Sequence, residues 1–132
     1  KMRRLMRLVV DKGTGRKAAT PGFLVGGKTG TAEKVSSRGY RKKALISSFV
    51  AAFPMNKPRY VVLAMLDEAK GTEETFGYAT GGWVAAPVVG AVVRRIAPVL
   101  GLRPVKADEA SREILAIEVP KKSDRERRVA AH

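Results

Sequence analysis

The chain contains no cysteine. Disulfide staples and thiolate metal sites are therefore excluded, and an oxidising compartment is permitted without being required. Histidine occurs once, as His132, the final residue. A single terminal imidazole rules out a Ser-His-Asp triad or a multi-histidine metal centre within these residues. Aromatic side chains are sparse, and only Phe23 and Tyr40 fall within residues 1–43. Acids are equally few in that stretch: thirteen lysines and arginines stand against Asp11 and Glu33, which makes +11 of the chain's net +14. Basic charge without interleaved aromatics offers no stacking platform for bases. It points to anionic surfaces such as membrane headgroups or cell-wall polymer rather than to nucleic acid. No apolar run reaches the roughly 20 residues that a membrane-spanning helix needs. The longest runs from Trp83 to Val93. There is no signal-peptide pattern, so any targeting segment is expected upstream of Lys1.

What is present suffices for a core. Hydrophobic residues form 45% of the 132, a globular composition, and the length suits one domain or part of one. Met2, Leu5, Met6 and Val9 recur at helical spacing between arginines, which predicts an amphipathic helix with a solvated basic face, ending near Gly13. A loop, "DKGTGRKAATPG", follows. Residues 23–35 alternate loosely, as an extended strand does, and a turn is expected around Ser37-Arg38-Gly39. "ALISSFVAAF" and "RYVVLAMLDE" are apolar on both faces and read as buried strands, separated by Pro54 and Pro58. Short connections imply an antiparallel sheet. After the polar loop "AKGTEETFGYATGG", residues from Trp83 read as a helix packed on the sheet, with Pro87 in its first turn and Pro98 near its end. Residues 105–132 read as a mobile tail, with one short element possible over Ile114–Val119.

"GFLVGGKTGTAEK" carries the chemistry and reads two ways. Gly22-x-x-x-x-Gly27-Lys28-Thr29 satisfies a nucleotide-binding P-loop, and Asp67 at the end of an apolar strand could hold its magnesium. Lys28-Thr29-Gly30-Thr31 equally opens the K-T-G element of penicillin-reactive serine acyl-transferases. A phosphate loop must follow a buried strand and open a helix. Here "GRKAATP" precedes and "GTAEKVSSRG" follows, and neither suits that role. The K-T-G reading asks for a strand along a cleft. There, two threonine hydroxyls and an ammonium suit a carboxylate, a backbone N–H can stabilise an oxyanion, and Gly30 admits close approach. A P-loop ATPase using Gly22–Thr29 and Asp67 stands as the alternative, and a non-catalytic basic binding module as a third.

"MRRLMRLVVDKGTGRKAATPGFLVGGKTGTAEK", "SSFVAAFPMNKPRYVVLAMLDE" and "GGWVAAPVVGAVVRRIAPVLGL" agree in order and spacing with a known family. Residues 1 to about 104 resemble the C-terminal part of the transpeptidase domain of class B penicillin-binding proteins, division-type peptidoglycan D,D-transpeptidases in particular. The resemblance implies an α+β fragment of the penicillin-binding (serine β-lactamase-like) fold: three antiparallel strands plus a C-terminal helix. It implies that Lys28 orients substrate and assists proton transfer. Thr29 and Thr31 would bind the terminal carboxylate of a D-Ala-D-Ala stem peptide or a β-lactam, and the Thr31 N–H would serve the oxyanion hole. Gly81 and Gly82 would form a tight turn or shape the cleft. No metal, cofactor or nucleic acid is implied. Other cell-wall synthesis or division proteins are implied as partners, and the periplasmic face of the inner membrane, with an upstream anchor, as the location. The departure is large. Ser36, Ser37, Ser47, Ser48, Ser111 and Ser123 are all the serines, and none sits in S-x-x-K or S-x-N. The fragment is expected to be inactive alone.

Overall fold

The computed structural model describes residues 1–36 and 39–106. The expected turn at Ser37-Arg38 and the tail with Ile114–Val119 lie outside the described residues. The described elements are helix α1 (Met2–Asp11), strands β1 (Gly26–Ser36), β2 (Gly39–Phe53) and β3 (Tyr60–Asp67), and helix α2 (Gly81–Val99). Short 3₁₀ turns occur at Arg16–Ala18 and Glu73–Thr75. The sheet is antiparallel in the order β1-β2-β3. The α+β expectation of three strands and a C-terminal helix holds.

Met, Leu and Arg are strong helix formers, and they fill α1. It stops where the Gly13 N–H bonds back to the Leu8 and Val9 carbonyls. The buried face differs from the expected one. Arg7, only 7% exposed, and Val10 point inward, while Met2, Leu5 and Leu8 are exposed. Arg7 is thus not part of a solvated basic face: its Nη1 donates to the Val25 carbonyl at 2.8 Å. Burial lowers the Arg7 pKa, opposed by Asp11 3.9 Å away. A long guanidinium can cross from the helix to an unpaired carbonyl of the neighbouring segment, which leucine cannot do.

β2 is the central strand, with Phe49, Ala51 and Phe53 fully buried on its α2 face. β3 was expected to be buried on both faces, but it alternates. Tyr60, Val62, Ala64 and Leu66 pack toward the core, whereas Val61, Leu63 and Met65 are 71%, 60% and 64% exposed. Among the described residues, only one face of the sheet has a helix laid fully across it.

α2 supplies that cover through Ala85, Ala86, Val89, Gly90, Val93 and Ala97, a stripe at helical spacing. Its small side chains let the backbone come close. A Cβ on Gly90 would lie 3.1 Å from the Lys17 carbonyl oxygen, and Thr20 Oγ1 donates to the Gly90 carbonyl at 3.2 Å. The helix begins at Gly81, so Pro87 sits in its second turn rather than its first. There it removes one intrahelical donor. Among the described residues α2 is the one helix long and apolar enough to cross a membrane. The buried stripe accounts for that composition as a core helix.

Candidate active site

The backbone through Lys28 to Thr31 is extended. β1 runs without interruption from Gly26 to Ser36, paired to β2 as Lys28↔Val50, Thr29↔Phe49, Gly30↔Ser48 and Thr31↔Ser47. No helix begins at Thr29, and no strand feeds Gly22, which has a positive φ of 81° and lies inside the turn closed by the short Thr20–Phe23 bridge, ahead of β1. The geometry that a phosphate loop requires is absent from this stretch. Asp67 is also misplaced for that role. It stands level with Ile46 and hence Ala32, four residues along the sheet from Lys28, or about 13 Å at 3.3 Å per residue. Its carboxylate is bound to Lys34 at 2.9 Å.

Thr29 and Thr31 face one side of β1 and line a cavity of about 620 Å³. Its other walls are Lys12, Gly13, Thr14, Arg16, Lys17, Thr80, Gly82 and Trp83. The cavity therefore lies where the β1 edge, the Gly13–Lys17 loop and the start of α2 converge. Two hydrogen bonds fasten it. Thr14 Oγ1 and Thr29 Oγ1 lie 3.2 Å apart, and the Gly81 N–H donates to Thr31 Oγ1 at 3.2 Å. The second bond occupies one of the four N–H groups left open at a helix start.

Gly81 and Gly82 owe their identity to close approach. Neither has a positive φ. A Cβ on Gly81 would fall 2.1 Å from the Ser48 carbonyl oxygen and 2.7 Å from that of Gly30. One on Gly82 would fall 2.4 Å from the Thr14 carbonyl oxygen. The tight-turn explanation is thus replaced by helix-on-sheet contact. Gly30 has a related constraint: its Cβ would meet Ser48 Oγ at 2.5 Å.

Lys28 is exposed on the opposite side of the strand, and its Nζ donates to the Thr29 carbonyl at 2.8 Å. It does not line the cavity. Ser47 is buried and donates to the Ala79 carbonyl, while Ser48 Oγ reaches the Gly30 carbonyl at 3.5 Å. Neither serine lines the cavity or lies free as a nucleophile. Among the described residues no cluster of acids or histidines could hold a metal ion.

The Gly13–Lys17 loop and Trp83 were not assigned a role from sequence. Phe76 meets Trp83 edge-on at 5.7 Å, Tyr78 stacks on it at 5.5 Å, and Lys17 Nζ sits 4.5 Å above its ring. The one available signal was the pair Gly13 and Gly15 around Thr14. A Cβ on Gly15 would press on the Phe49 ring at 2.8 Å, so this glycine lets the loop lie flat on the core.

Residues 1–94 match the family described as the penicillin-binding protein transpeptidase domain. The chain is 50% identical to a probable peptidoglycan D,D-transpeptidase of Caulobacter vibrioides, the match covering 77% of this chain and 19% of that protein. It is 43% identical to the stage V sporulation protein D of Bacillus subtilis, over 80% of this chain and 16% of that one. The transpeptidase domain of Burkholderia pseudomallei penicillin-binding protein 3 superposes with a TM-score of 0.64 at 42% identity, covering 77% of this chain and 30% of that structure. The chain thus spans about a fifth of the first two relatives. A family match over residues 1–94 and a shared sheet-and-helix arrangement lead to one conclusion: this chain belongs to the penicillin-binding protein transpeptidase domain family.

Proposed function

We propose that this chain forms the carboxylate-binding wall of a serine-type peptidoglycan D,D-transpeptidase of cell division. The observation that carries this reading is the pair of hydroxyls on Thr29 and Thr31, aimed from one straight strand into one cavity. The terminal carboxylate of a D-Ala-D-Ala stem peptide accepts hydrogen bonds from both. Charge-assisted bonds of this kind are about twice as strong as neutral ones. The Thr29 carbonyl already accepts from Lys28, on the strand edge away from β2. Alternation along an antiparallel strand directs the Thr31 N–H to that same edge, where it can donate to a developing oxyanion. Lys28, held by a single exposed hydrogen bond, keeps that edge electropositive and is free to reach a neighbouring serine.

In the parent reaction a serine Oγ attacks the penultimate D-Ala carbonyl, and the C–N bond breaks as D-Ala departs with a proton. An amine of a second stem peptide then displaces the serine from the ester. No serine of this chain lies in S-x-x-K or S-x-N, so that nucleophile comes from outside these residues. β-Lactams would occupy the same wall. A penicillin-binding protein 3 of Mycobacterium tuberculosis, 25% identical to this chain, has been solved with ampicillin. The periplasmic face of the inner membrane is the corresponding location.

Incubation with a fluorescent penicillin followed by intact-mass measurement tests the assignment of the nucleophile. The 132-residue chain alone should gain no adduct. Stoichiometric labelling would place a reactive serine within it and overturn that assignment.

A further inference from the structure

Gly22, Leu24 and Val25 lead into β1, and a different part of the chain holds each of their carbonyls. The Val105 N–H donates to Gly22 at 2.9 Å, the Met55 N–H to Leu24 at 2.7 Å, and Arg7 Nη1 to Val25 at 2.8 Å. Two of these donors are backbone, available whatever side chain stands there. The third exists only because residue 7 is an arginine. Val25 is fully buried, so its carbonyl cannot turn to water instead.

α1 also presses on the strand at this point. A Cβ on Gly26, the first residue of β1, would lie 3.1 Å from both the Arg7 nitrogen and the Met6 carbonyl carbon. Burying a guanidinium is unfavourable in itself, and leucine or methionine would form the helix equally well. What the arginine adds is a fixed link from α1 to the entry of β1. Asp11, 3.9 Å from Nη2 and one turn along the helix, faces the same guanidinium.

We propose that Arg7 is a positioning residue of the carboxylate site: by holding the Val25 carbonyl it fixes the tilt of β1, and so the directions in which Thr29 and Thr31 present their hydroxyls. The proposal rests on the transpeptidase reading above and adds to it a residue outside the cavity. Arg7 does not line that cavity, so it acts through the strand and not on the ligand. Thr29 and Thr31 stand in the same uninterrupted strand as Gly26, about 10 and 17 Å along it at 3.3 Å per residue. Among the described residues β1 is a sheet edge, laddered to β2 alone. That ladder sets which residues pair, and it leaves the tilt of the edge strand to its entry.

The test compares the isotopically labelled 132-residue chain with Arg7→Met and Arg7→Lys. Methionine keeps the helix and removes the donor; lysine keeps a charged donor on a shorter stem. Each protein is titrated with an acyl-D-Ala-D-Ala peptide well below its own melting temperature, so that only folded chain is read. In Arg7→Met the peptide should bind about fivefold more weakly, as when a charge-assisted hydrogen bond to the ligand is poorly aligned. The Gly26–Thr31 amide signals should be displaced while those of β3 stay in place. Arg7→Lys should fall between the two, in affinity and in displacement. A purely structural role predicts a lower melting temperature with unchanged affinity, and that result overturns the proposal. Equal displacement of signals in all three strands, a general loosening, overturns it too. Should methionine prevent folding, lysine decides alone: a displaced Gly26 signal with full affinity refutes the link. If the peptide moves the Thr29–Thr31 signals of the unaltered chain and Arg7→Met binds it equally well, only this proposal falls. If the peptide leaves those signals in place in the unaltered chain, the transpeptidase reading falls and takes this proposal with it.

Discussion

Single atoms decide much of this site. Gly81 and Gly30 both face β2, yet what a methyl group would meet differs. At Gly81 the obstacle is backbone, the Ser48 carbonyl oxygen at 2.1 Å; at Gly30 it is the rotatable Ser48 hydroxyl at 2.5 Å. Gly81→Ala must therefore lift the start of α2 off the sheet and should cost about 3 kcal/mol or more, as overpacking does. Gly30→Ala should cost clearly less, because the serine can turn away. Denaturant unfolding of the two variants makes the comparison, and equal losses would contradict the contact account. The two threonines and the glycine of "KTGT" were legible as a cleft edge because side chains alternate along a strand. Arg7 was not legible. Helical periodicity ranks an arginine as polar, and it carries no information about the distant Val25 carbonyl that draws this one inside.

At the level of elements, β1 must be straight and held in register for Thr29 and Thr31 to share a cavity. Past the site, the β1–β2 register shifts between Glu33 and Val35, a local irregularity that increases strand twist. There Lys34 reaches Asp67 at 2.9 Å and Glu68 at 3.0 Å, linking β1 to the end of β3 across the central strand. Hydrogen bonds to Asp67 and then Glu68 raise the Lys34 pKa above its ordinary value of 10.5. A raised pKa means that the folded state holds the proton more tightly, so the stabilisation is complete below 10.5 and fades as pH rises through the folded value. Melting curves of the chain and of Lys34→Met should therefore differ at pH 8 and converge in strongly alkaline buffer. A gap that widens with pH would refute the clamp. High salt should shrink the difference at pH 8, because the pair is exposed. Both helices and all three strands were legible from periodicity and from Pro54 and Pro58. The burial of β3 was misread because an apolar strand reports that both faces suit cover, while the sequence does not say whether both receive it.

At the scale of the whole molecule, two apolar surfaces stand open among the described residues: Met2, Leu5 and Leu8 on α1, and Val50, Val61, Leu63 and Met65 on the sheet. β3 is also a sheet edge, and an exposed apolar edge strand is prone to self-pairing. The chain covers 30% of the Burkholderia transpeptidase domain. Leu63→Lys should thus raise solubility and shift sedimentation toward monomer, with little change in melting temperature; a cooperative loss of stability would show that Leu63 is already packed. The convergence of the Gly13–Lys17 loop with Trp83 belongs to this scale too. No local pattern joins residues nearly seventy positions apart, and only folding brings the cations, the aromatics and the two threonines to one cavity.

The central claim is that the strand through Lys28 recognises a free peptide carboxylate. It is tested most directly by following the Thr29, Gly30 and Thr31 amide signals during titration with an acyl-D-Ala-D-Ala peptide, with the same peptide as its C-terminal amide, and with magnesium-ATP. The free acid should shift those three signals saturably, whereas the amide and the nucleotide should leave them in place. Shifts as large with the amide, or produced by the nucleotide across residues 22–29, would contradict it.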